Sequence, residues 1–157
     1  MNGKLEFGCD YLNIMRNLEL AETPKRELDP IEDAAARLFL LNWGLSITEI
    51  DDANQLFWDR AQNNSLEVDL NKVIDRIYNH IVGDRGAVER FVIELAAIGF
   101  MDANVTNDED AYVLYFKDKF DFKQSEFMAL CSKGTDLSIA LNYFGDAYMK
   151  AHIDLKN

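Results

Sequence analysis

The sequence has few of the residues that stabilise secreted proteins or anchor proteins in membranes. Its 157 residues include only two cysteines, Cys9 and Cys131, which lie far apart and form no Cys-x-x-Cys pair. Such sparse cysteine is typical of a reduced, cytoplasmic location. No apolar run approaches the roughly 20 residues that span a bilayer, and the N-terminal residues lack the apolar core of a signal peptide. We therefore expect a cytoplasmic protein without membrane insertion.

Positive charge is also scarce, with 16 lysine and arginine residues against 28 aspartate and glutamate residues and a net charge of −12. A surface this acidic repels the phosphate backbone of nucleic acids, so nucleic acid is not an expected partner. A cation or a basic protein surface fits this charge better. A net charge of this size also keeps a protein soluble, so charge alone does not separate binding from solubility.

Catalytic motifs are missing as well. Neither histidine, His80 or His152, follows a glutamate by three residues or belongs to a His-Glu-x-x-His motif. Neither a di-iron site nor a zinc-hydrolase site is therefore indicated. The segment VGDRGAV, 82–88, contains the Gly-x-x-Gly of a KH domain. Flanking strand patterns are absent, so we expect a corner between two helices there instead of a nucleic-acid clamp. These absences are more typical of a non-enzymatic protein than of an enzyme.

Helical periodicity dominates what is present. Only two prolines and eight glycines interrupt the chain, and apolar residues recur at spacings of three and four. The clearest series lies in DLNKVIDRIYNHIV, and its members are Leu70, Val73, Ile74, Ile77, Tyr78 and Ile81. The sequence therefore predicts an all-α, compact multihelical fold with helices over 4–18, 30–43, 47–62, 69–82, 86–101, 107–119, 124–132 and 136–151.

Several of these helix starts carry capping signals. The segment 29–32 places an aspartate at the N-cap, a proline at the first helical position and a glutamate at the third. The segments 46–49 and 106–109 both read as capping boxes, with Ser or Thr followed by Glu three residues later. Gly83 and Gly86 interrupt what would otherwise be one long helix, so we expect two helices to meet there.

The chain also resembles itself. The segment LDPIEDAAARLFLLNWGLSITEI, 28–50, aligns without a gap on VTNDEDAYVLYFKDKFDFKQSEF, 105–127. The identical pairs are Glu32/Glu109, Asp33/Asp110, Ala34/Ala111, Phe39/Phe116 and Glu49/Glu126. Neither copy could bury its apolar face alone, so an internal helical duplication predicts one domain. We expect that domain to span 1–157, with repeat units at about 4–62 and 86–150 around a central helix, 69–82.

The stretch ELAAIGFMDANVTNDEDAYVLYFKDKFDFKQSEF, 94–127, resembles the tellurite-resistance TerB-like family. The shared pattern is a helix, an Asp-containing loop, an apolar residue, a helix cap and a glutamate that opens another helix. Ala103 follows Asp102 here, where the family usually carries glycine. The resemblance implies a compact all-helical fold and a stress-associated role tied to tellurite resistance. It also implies an acidic surface that is a candidate for metal binding.

The loop inside this stretch, MDANVTNDED, is dense in oxygen-bearing side chains. It does not fit an EF-hand, because Asn107 stands where that loop needs glycine and Val113 where it needs glutamate. Asp102, Asn104 and Glu109 are the candidate ligands of a weak Ca²⁺ or Mg²⁺ site.

The first repeat has a matching acidic helix start, which makes Asp29 and Glu32 further candidate ligands. Helix capping explains part of the same pattern without any ion. In that interpretation Thr106 caps a helix and Glu109 reaches back to close the capping box. The sequence leaves both interpretations open.

Aromatic residues offer another possible site. Trp58 follows Phe57 on a predicted helix, so the two rings cannot share one inward face, and we expect Trp58 to be partly exposed on a partner surface. A second aromatic group could fill the core or line a ligand pocket; it consists of Tyr112, Tyr115, Phe116, Phe120, Phe122 and Phe127.

These features predict a non-enzymatic, cytoplasmic, stress-associated binding module that acts through an acidic face on a cation or a protein partner. The alternative is a small-molecule-binding protein or an enzyme that uses an aromatic-lined pocket. A homo-oligomeric structural protein is a third prediction. A pocket with convergent polar groups would favour the second prediction over the first.

Overall fold

The described part of the chain is built from helices. The computed structural model describes residues 2–22, 30–99, 115 and 117–156, and side chains over 3–17, 33–98, 115 and 117–143. Its helices are α1 (Asn2–Glu22), α2 (Pro30–Asn42), α3 (Ile47–Gln62), α4 (Leu70–Ile81), α5 (Arg85–Gly99) and α6 (Gln124–Lys156). These residues contain no strand, which confirms the all-α prediction. None of their helices combines the length and the apolar character that a membrane span needs.

Helix α1 packs against α2, α3, α4 and α5. Its buried apolar side chains therefore lie on several faces, as expected for a helix surrounded by others; they are Phe7, Cys9, Tyr11, Leu12, Ile14 and Met15. Gly8 lets α3 approach closely, since a Cβ at that position would lie 2.8 Å from the Cβ of Ala53.

Ion pairs join α1 to three of the surrounding helices. Each pair links a charged α1 side chain to an oppositely charged residue on α2, α3 or α4. The pairs are Glu6–Arg60 (2.7 Å), Asp10–Arg76 (2.9 Å) and Arg16–Asp33 (2.9 Å). Since Asp10 and Arg16 are buried, these contacts offset the desolvation of charges inside the helical assembly.

Local sequence signals account for several helix boundaries. The predicted capping box at α3 is confirmed, because the amide of Glu49 donates to Ser46 Oγ (3.1 Å) and the amide of Ser46 donates to Glu49 Oε1 (3.0 Å). The predicted corner at 82–88 is confirmed as well, since α4 ends at Ile81 and α5 begins at Arg85. The second predicted capping box, 106–109, lies outside the described residues.

The prediction of two helices over 124–132 and 136–151 is wrong. Helix α6 runs without interruption for 33 residues, a length of about 50 Å. Gly134 lies inside it at the contact with α5, where an added Cβ would sit 2.5 Å from the Cβ of Ala96 and 2.8 Å from the carbonyl oxygen of Ile93. This glycine permits close helix packing and does not end the helix.

Two helix-to-helix corners have the same local geometry. One precedes α3 and contains Gly44 with a φ of 91°, and the other precedes α6 and contains Asp121 with a φ of 55°. In each corner the next residue donates its amide hydrogen to a carbonyl five residues earlier, at 3.2 Å and 3.1 Å. These positions correspond in the alignment of 28–50 with 105–127. Residues 105–114 lie outside the described residues, so the internal duplication stays a prediction.

Candidate functional site

The predicted cation site falls mostly outside the described residues. Asp29, Asp102, Asn104 and Glu109 all lie there, and Glu32 is placed on α2 without a described side chain. Among the residues that are described, no three His, Cys, Asp or Glu side chains come together as metal ligands. The Ca²⁺ or Mg²⁺ site therefore stays a prediction.

The predicted aromatic group lies largely in the core. Phe120, Phe122 and Phe127 are buried, which confirms the core interpretation for these three rings. Tyr115 is half-buried, and its hydroxyl donates to Asp75 Oδ1 at 2.8 Å. Tyr112 and Phe116 lie outside the described residues.

An apolar groove of about 530 Å³ opens between α2 and α3. We call it the α2–α3 groove, and its lining residues are Asp33, Ala34, Arg37, Leu38, Leu41, Ile47 and Ile50. Three large aliphatic side chains in it are exposed to solvent: Leu38 by 51%, Leu41 by 40% and Ile47 by 68%. Contiguous exposed apolar surface of this kind is characteristic of interaction sites.

The sequence of α2 explains why this surface exists. The run AAARLFLL, 34–41, is apolar almost all round the helix. The core covers the face that carries Ala35, Ala36, Phe39 and Leu40, all of which are buried. The remaining apolar face lies in the groove. Helix α2 thus has more apolar surface than the core uses, which is unusual for a helix with an ordinary solvent-facing side.

The outer face of α3 beside the groove is acidic. Asp51, Asp52 and Asp59 are exposed there; Asp52 and Asp59 lie seven residues apart on one side of the helix, and Asp51 lies about 100° from Asp52, toward the groove. Trp58, seven residues after Asp51, lies on the same side of the helix as Asp51 and is 41% exposed. Asp51 pairs with Arg37 at the edge of the groove, whereas Asp52 and Asp59 form no ion pair within the described part of the chain. We call this surface the acidic α3 face; its predicted role as a partner surface is untested.

A buried arginine lies beneath both surfaces. Arg16 is only 2% exposed, and its Nε donates to Asp33 Oδ1 at 2.9 Å. Its Nη2 donates to Asn54 Oδ1 at 2.5 Å. The guanidinium also lies 4.7 Å from the ring centre of Phe57 and 5.3 Å from that of Trp58. Arg16 therefore contacts the groove wall on α2 and the acidic face on α3 together.

A second groove, also of about 530 Å³, lies on another side of the α2–α3 corner. We call it the ring-lined groove, because Phe7, Trp43 and His80 are in its wall, with Lys4 and Asp84 as its charged groups. The rings of Phe7 and Trp43 lie 5.5 Å apart, and those of Phe7 and His80 lie 5.7 Å apart. Lys4 already donates to the carbonyl oxygen of Gly44 at 3.3 Å.

Behind the ring-lined groove lies a buried carboxyl group. Glu94, 2% exposed, accepts hydrogen bonds at Oε1 from Tyr11 Oη (2.8 Å) and Trp43 Nε1 (2.6 Å). Burial raises the pKa of Glu94 to about 7, against the opposing effects of Trp43, Tyr11 and the positive charge of Arg90. The carboxyl group therefore changes its protonation near neutral pH, where an exposed glutamate is fully ionised.

No family model matches the chain, and neither the curated proteins nor the solved structures contain a match. The TerB-like relationship therefore stays a prediction. The features of this chain that bear on function are the two grooves, the acidic α3 face and the buried charges.

Sequence reasoning missed Arg16 and Glu94. One signal could have found Arg16: the segment FGCDYLNIMR, 7–16, carries apolar residues on more than one helical face. A charge inside such a surrounded helix must be buried and must have a partner. Glu94 gives a weaker signal, because a lone glutamate in an apolar helix also fits a solvent-facing position.

Proposed function

We propose that this protein is a non-enzymatic binding module whose α2–α3 groove receives a basic amphipathic helix of a partner protein. The observation that carries the proposal is the joint exposure of Leu38, Leu41 and Ile47 in one groove. Amphipathic helices dock in apolar grooves through side chains at spacings of three, four and seven. On the α2 wall of the groove, Ala34, Leu38 and Leu41 are separated by the same intervals of four, three and seven residues.

Charge complementarity supports a basic partner. The acidic α3 face adjoins the groove, and the chain carries a net charge of −12. The partner's apolar side chains would contact Leu38, Leu41 and Ile47, while its lysine or arginine side chains would face the acidic α3 face, which meets the groove at Asp51. Such charges raise the rate of association and select the orientation of the bound helix, and apolar burial supplies most of the affinity.

A synthetic helical peptide tests the proposal directly. The probe is a labelled peptide of about 18 residues, with leucines on one helical face and lysines on the other. We expect saturable binding by fluorescence anisotropy, and a scrambled peptide of identical composition should bind at least about tenfold more weakly. Higher salt should weaken binding without abolishing it, because only the charge component is screened.

Matched variants locate the binding surface. Ile47→Ser should weaken binding of the peptide by about tenfold, because it removes apolar contact area without changing charge. Ile139→Ser is the control, since Ile139 on α6 is similarly exposed, at 63% against 68% for Ile47, and lies outside the groove lining. Equal weakening in both variants would contradict binding at the α2–α3 groove.

The ring-lined groove favours a second candidate function, the binding of a small aromatic molecule. The observation behind it is the presence of Phe7, Trp43 and His80 in one wall, since such rings stack on flat ligands. Indole and similar compounds can be titrated while amide chemical shifts are followed. Saturable shifts at Lys4, His80 and Ala87 would support this function, and unchanged shifts there would remove it.

The predictions made from the sequence that concern other sites or properties need separate experiments. Cation binding at Asp102, Asn104, Glu109, Asp29 and Glu32 is tested by melting EDTA-stripped protein with and without Ca²⁺ and Mg²⁺. An unchanged melting temperature would contradict it. Kinship with the TerB-like family, a role in stress or tellurite resistance and a cytoplasmic location are part of the same proposal. Homo-oligomerisation is a separate prediction, which light scattering tests.

A further inference from the structure

Arg16 connects two elements that form the proposed binding surface. Its guanidinium donates to Asp33, which lines the α2–α3 groove, and to Asn54 on α3. The same group lies against the rings of Phe57 and Trp58. One side chain of α1 thus contacts α2, α3 and the ring of Trp58.

The contacts of Arg16 are not those of a residue selected for stability alone. Within the described part of the chain, its Nη1 is buried without a hydrogen-bond partner, and a buried donor without an acceptor costs free energy. Apolar side chains of similar volume often replace buried ion pairs without loss of stability. A role in the geometry of a neighbouring surface gives a physical reason for an arginine at this position.

We infer that Arg16 is a positioning residue for partner binding, which fixes the width of the α2–α3 groove and the orientation of Trp58. This inference rests on the proposed function of the groove. The planar guanidinium is required, because its nitrogens donate to Asp33 and Asn54 in fixed directions while its central carbon lies over the rings of Phe57 and Trp58. A lysine ammonium can pair with Asp33 but offers neither the fixed fork nor the flat face.

The test uses Arg16→Lys in a Trp43→Phe background, where Trp58 is the one remaining tryptophan. We expect Arg16→Lys to unfold cooperatively, to shift the emission maximum of Trp58 and to weaken binding of the basic helical peptide by about tenfold. Arg16→Met should change the Trp58 emission at least as much, since it lacks the charge as well.

Arg76→Lys is the matched control. Arg76 also pairs with a buried α1 residue, because its Nε and Nη2 donate to the two carboxylate oxygens of Asp10 at 3.0 Å and 2.9 Å. It lies on α4 and does not line the α2–α3 groove. We expect Arg76→Lys to lower the melting temperature but to leave Trp58 emission and peptide affinity unchanged. Equal loss of affinity in Arg76→Lys and Arg16→Lys would overturn the positioning role.

The two proposals fail in different ways. If the unsubstituted protein does not bind the peptide, the proposed function fails, while Trp58 emission still reports on Arg16. If Arg16→Lys leaves the emission maximum of Trp58 and the peptide affinity unchanged, the positioning role fails and the groove proposal stands. A shift of Trp58 emission with unchanged affinity would also overturn the positioning role.

Discussion

Arg16 and Glu94 are two ionisable side chains buried to the same extent, yet their surroundings differ in sign and in chemistry. Both are 2% exposed, and both lie next to a tryptophan. The guanidinium of Arg16 lies 5.3 Å from the ring centre of Trp58. Glu94 accepts a hydrogen bond of 2.6 Å from the indole of Trp43.

The difference lies in the charge of the partners. Arg16 has a carboxylate at 2.9 Å, that of Asp33. Glu94 has two neutral donors, Tyr11 and Trp43, and its nearest cation in the described part of the chain is Arg90, whose Nε lies 3.8 Å from Oε2. At 3.8 Å the Arg90 contact is an ion pair without a hydrogen bond.

The comparison shows how a fold accommodates charge in its interior. A guanidinium keeps its proton, so the fold must supply an anion to Arg16. A carboxyl group can take up a proton instead, so the fold can surround Glu94 with neutral donors. The result is an ion-paired site beneath Trp58 and a site with pH-dependent charge behind Trp43.

The largest effect is expected when Arg16 loses its anion. Asp33→Ala leaves the buried guanidinium with Asn54 as its remaining hydrogen-bond acceptor among the described residues. We expect the free energy of unfolding to fall by about 3 kcal/mol, since a buried charge without its counter-ion is strongly destabilising. Urea denaturation at neutral pH measures this loss.

The surface ion pair between Arg37 and Asp51 provides the control. Asp51 has a side chain that is 57% exposed, so Asp51→Ala should lower the free energy of unfolding by less than about 1 kcal/mol. If Asp33→Ala were no more destabilising than Asp51→Ala, Arg16 would not depend on an anion, and the contrast with Glu94 would disappear.

A smaller but pH-dependent effect is expected at Glu94. The folded-state pKa of about 7 lies above the ordinary value of 4.5. The folded protein therefore binds more protons than the unfolded chain between these pH values. Stability from this site is fully present below the unfolded pKa and is lost as the pH rises through the folded pKa. Glu94→Gln cannot ionise and should remove this loss.

The measurement compares urea denaturation of both proteins at two pH values. Between about pH 5 and about pH 8, the unfolding free energy of Glu94→Gln relative to the unsubstituted protein should rise by about 2 to 3 kcal/mol. The control is Glu89→Gln on the same helix, because Glu89 is less buried. A similar pH dependence in Glu94→Gln and in the unsubstituted protein would show that Glu94 stays ionised in the fold.

Helices and helix starts that depend on residues close together in the chain could be predicted from the sequence. The apolar series of α4 follows one helical face, and Leu70, Val73, Ile74, Ile77 and Ile81 are all buried as that pattern requires. The Ser46–Glu49 capping box acts within one turn, so four residues determine it.

The buried charges could not be predicted in this way, since their partners are distant in sequence. Tyr11 is 83 residues from Glu94, and Trp43 is 51 residues from it. The predicted break between 132 and 136, which contains Gly134, was wrong for a similar reason. A glycine inside a helix weakens it locally, but the close contact with α5 uses the missing Cβ.

The smallest effect is expected when Glu94 loses Arg90, its nearest cation in the described part of the chain. The positive charge of Arg90 lowers the pKa of Glu94, so Arg90→Gln should move the midpoint of the pH-dependent stability change upward. The guanidinium of Arg90 also lies 3.7 Å from the ring centre of Trp43, and loss of that contact should cost about 0.5 to 1 kcal/mol at any pH.

Arg85→Gln separates these two consequences. Arg85 lies on the same helix, 4.1 Å from the ring centre of Phe122, and is not among the causes that shift the pKa of Glu94. It should lower stability without moving the midpoint. If Arg90→Gln also left the midpoint in place, the charge of Arg90 would not reach Glu94 across 3.8 Å. The protonation of Glu94 would then depend on burial and on its two neutral donors alone. Glu94 would have no charged group in the described part of the chain acting on it, whereas Arg16 is paired with the carboxylate of Asp33.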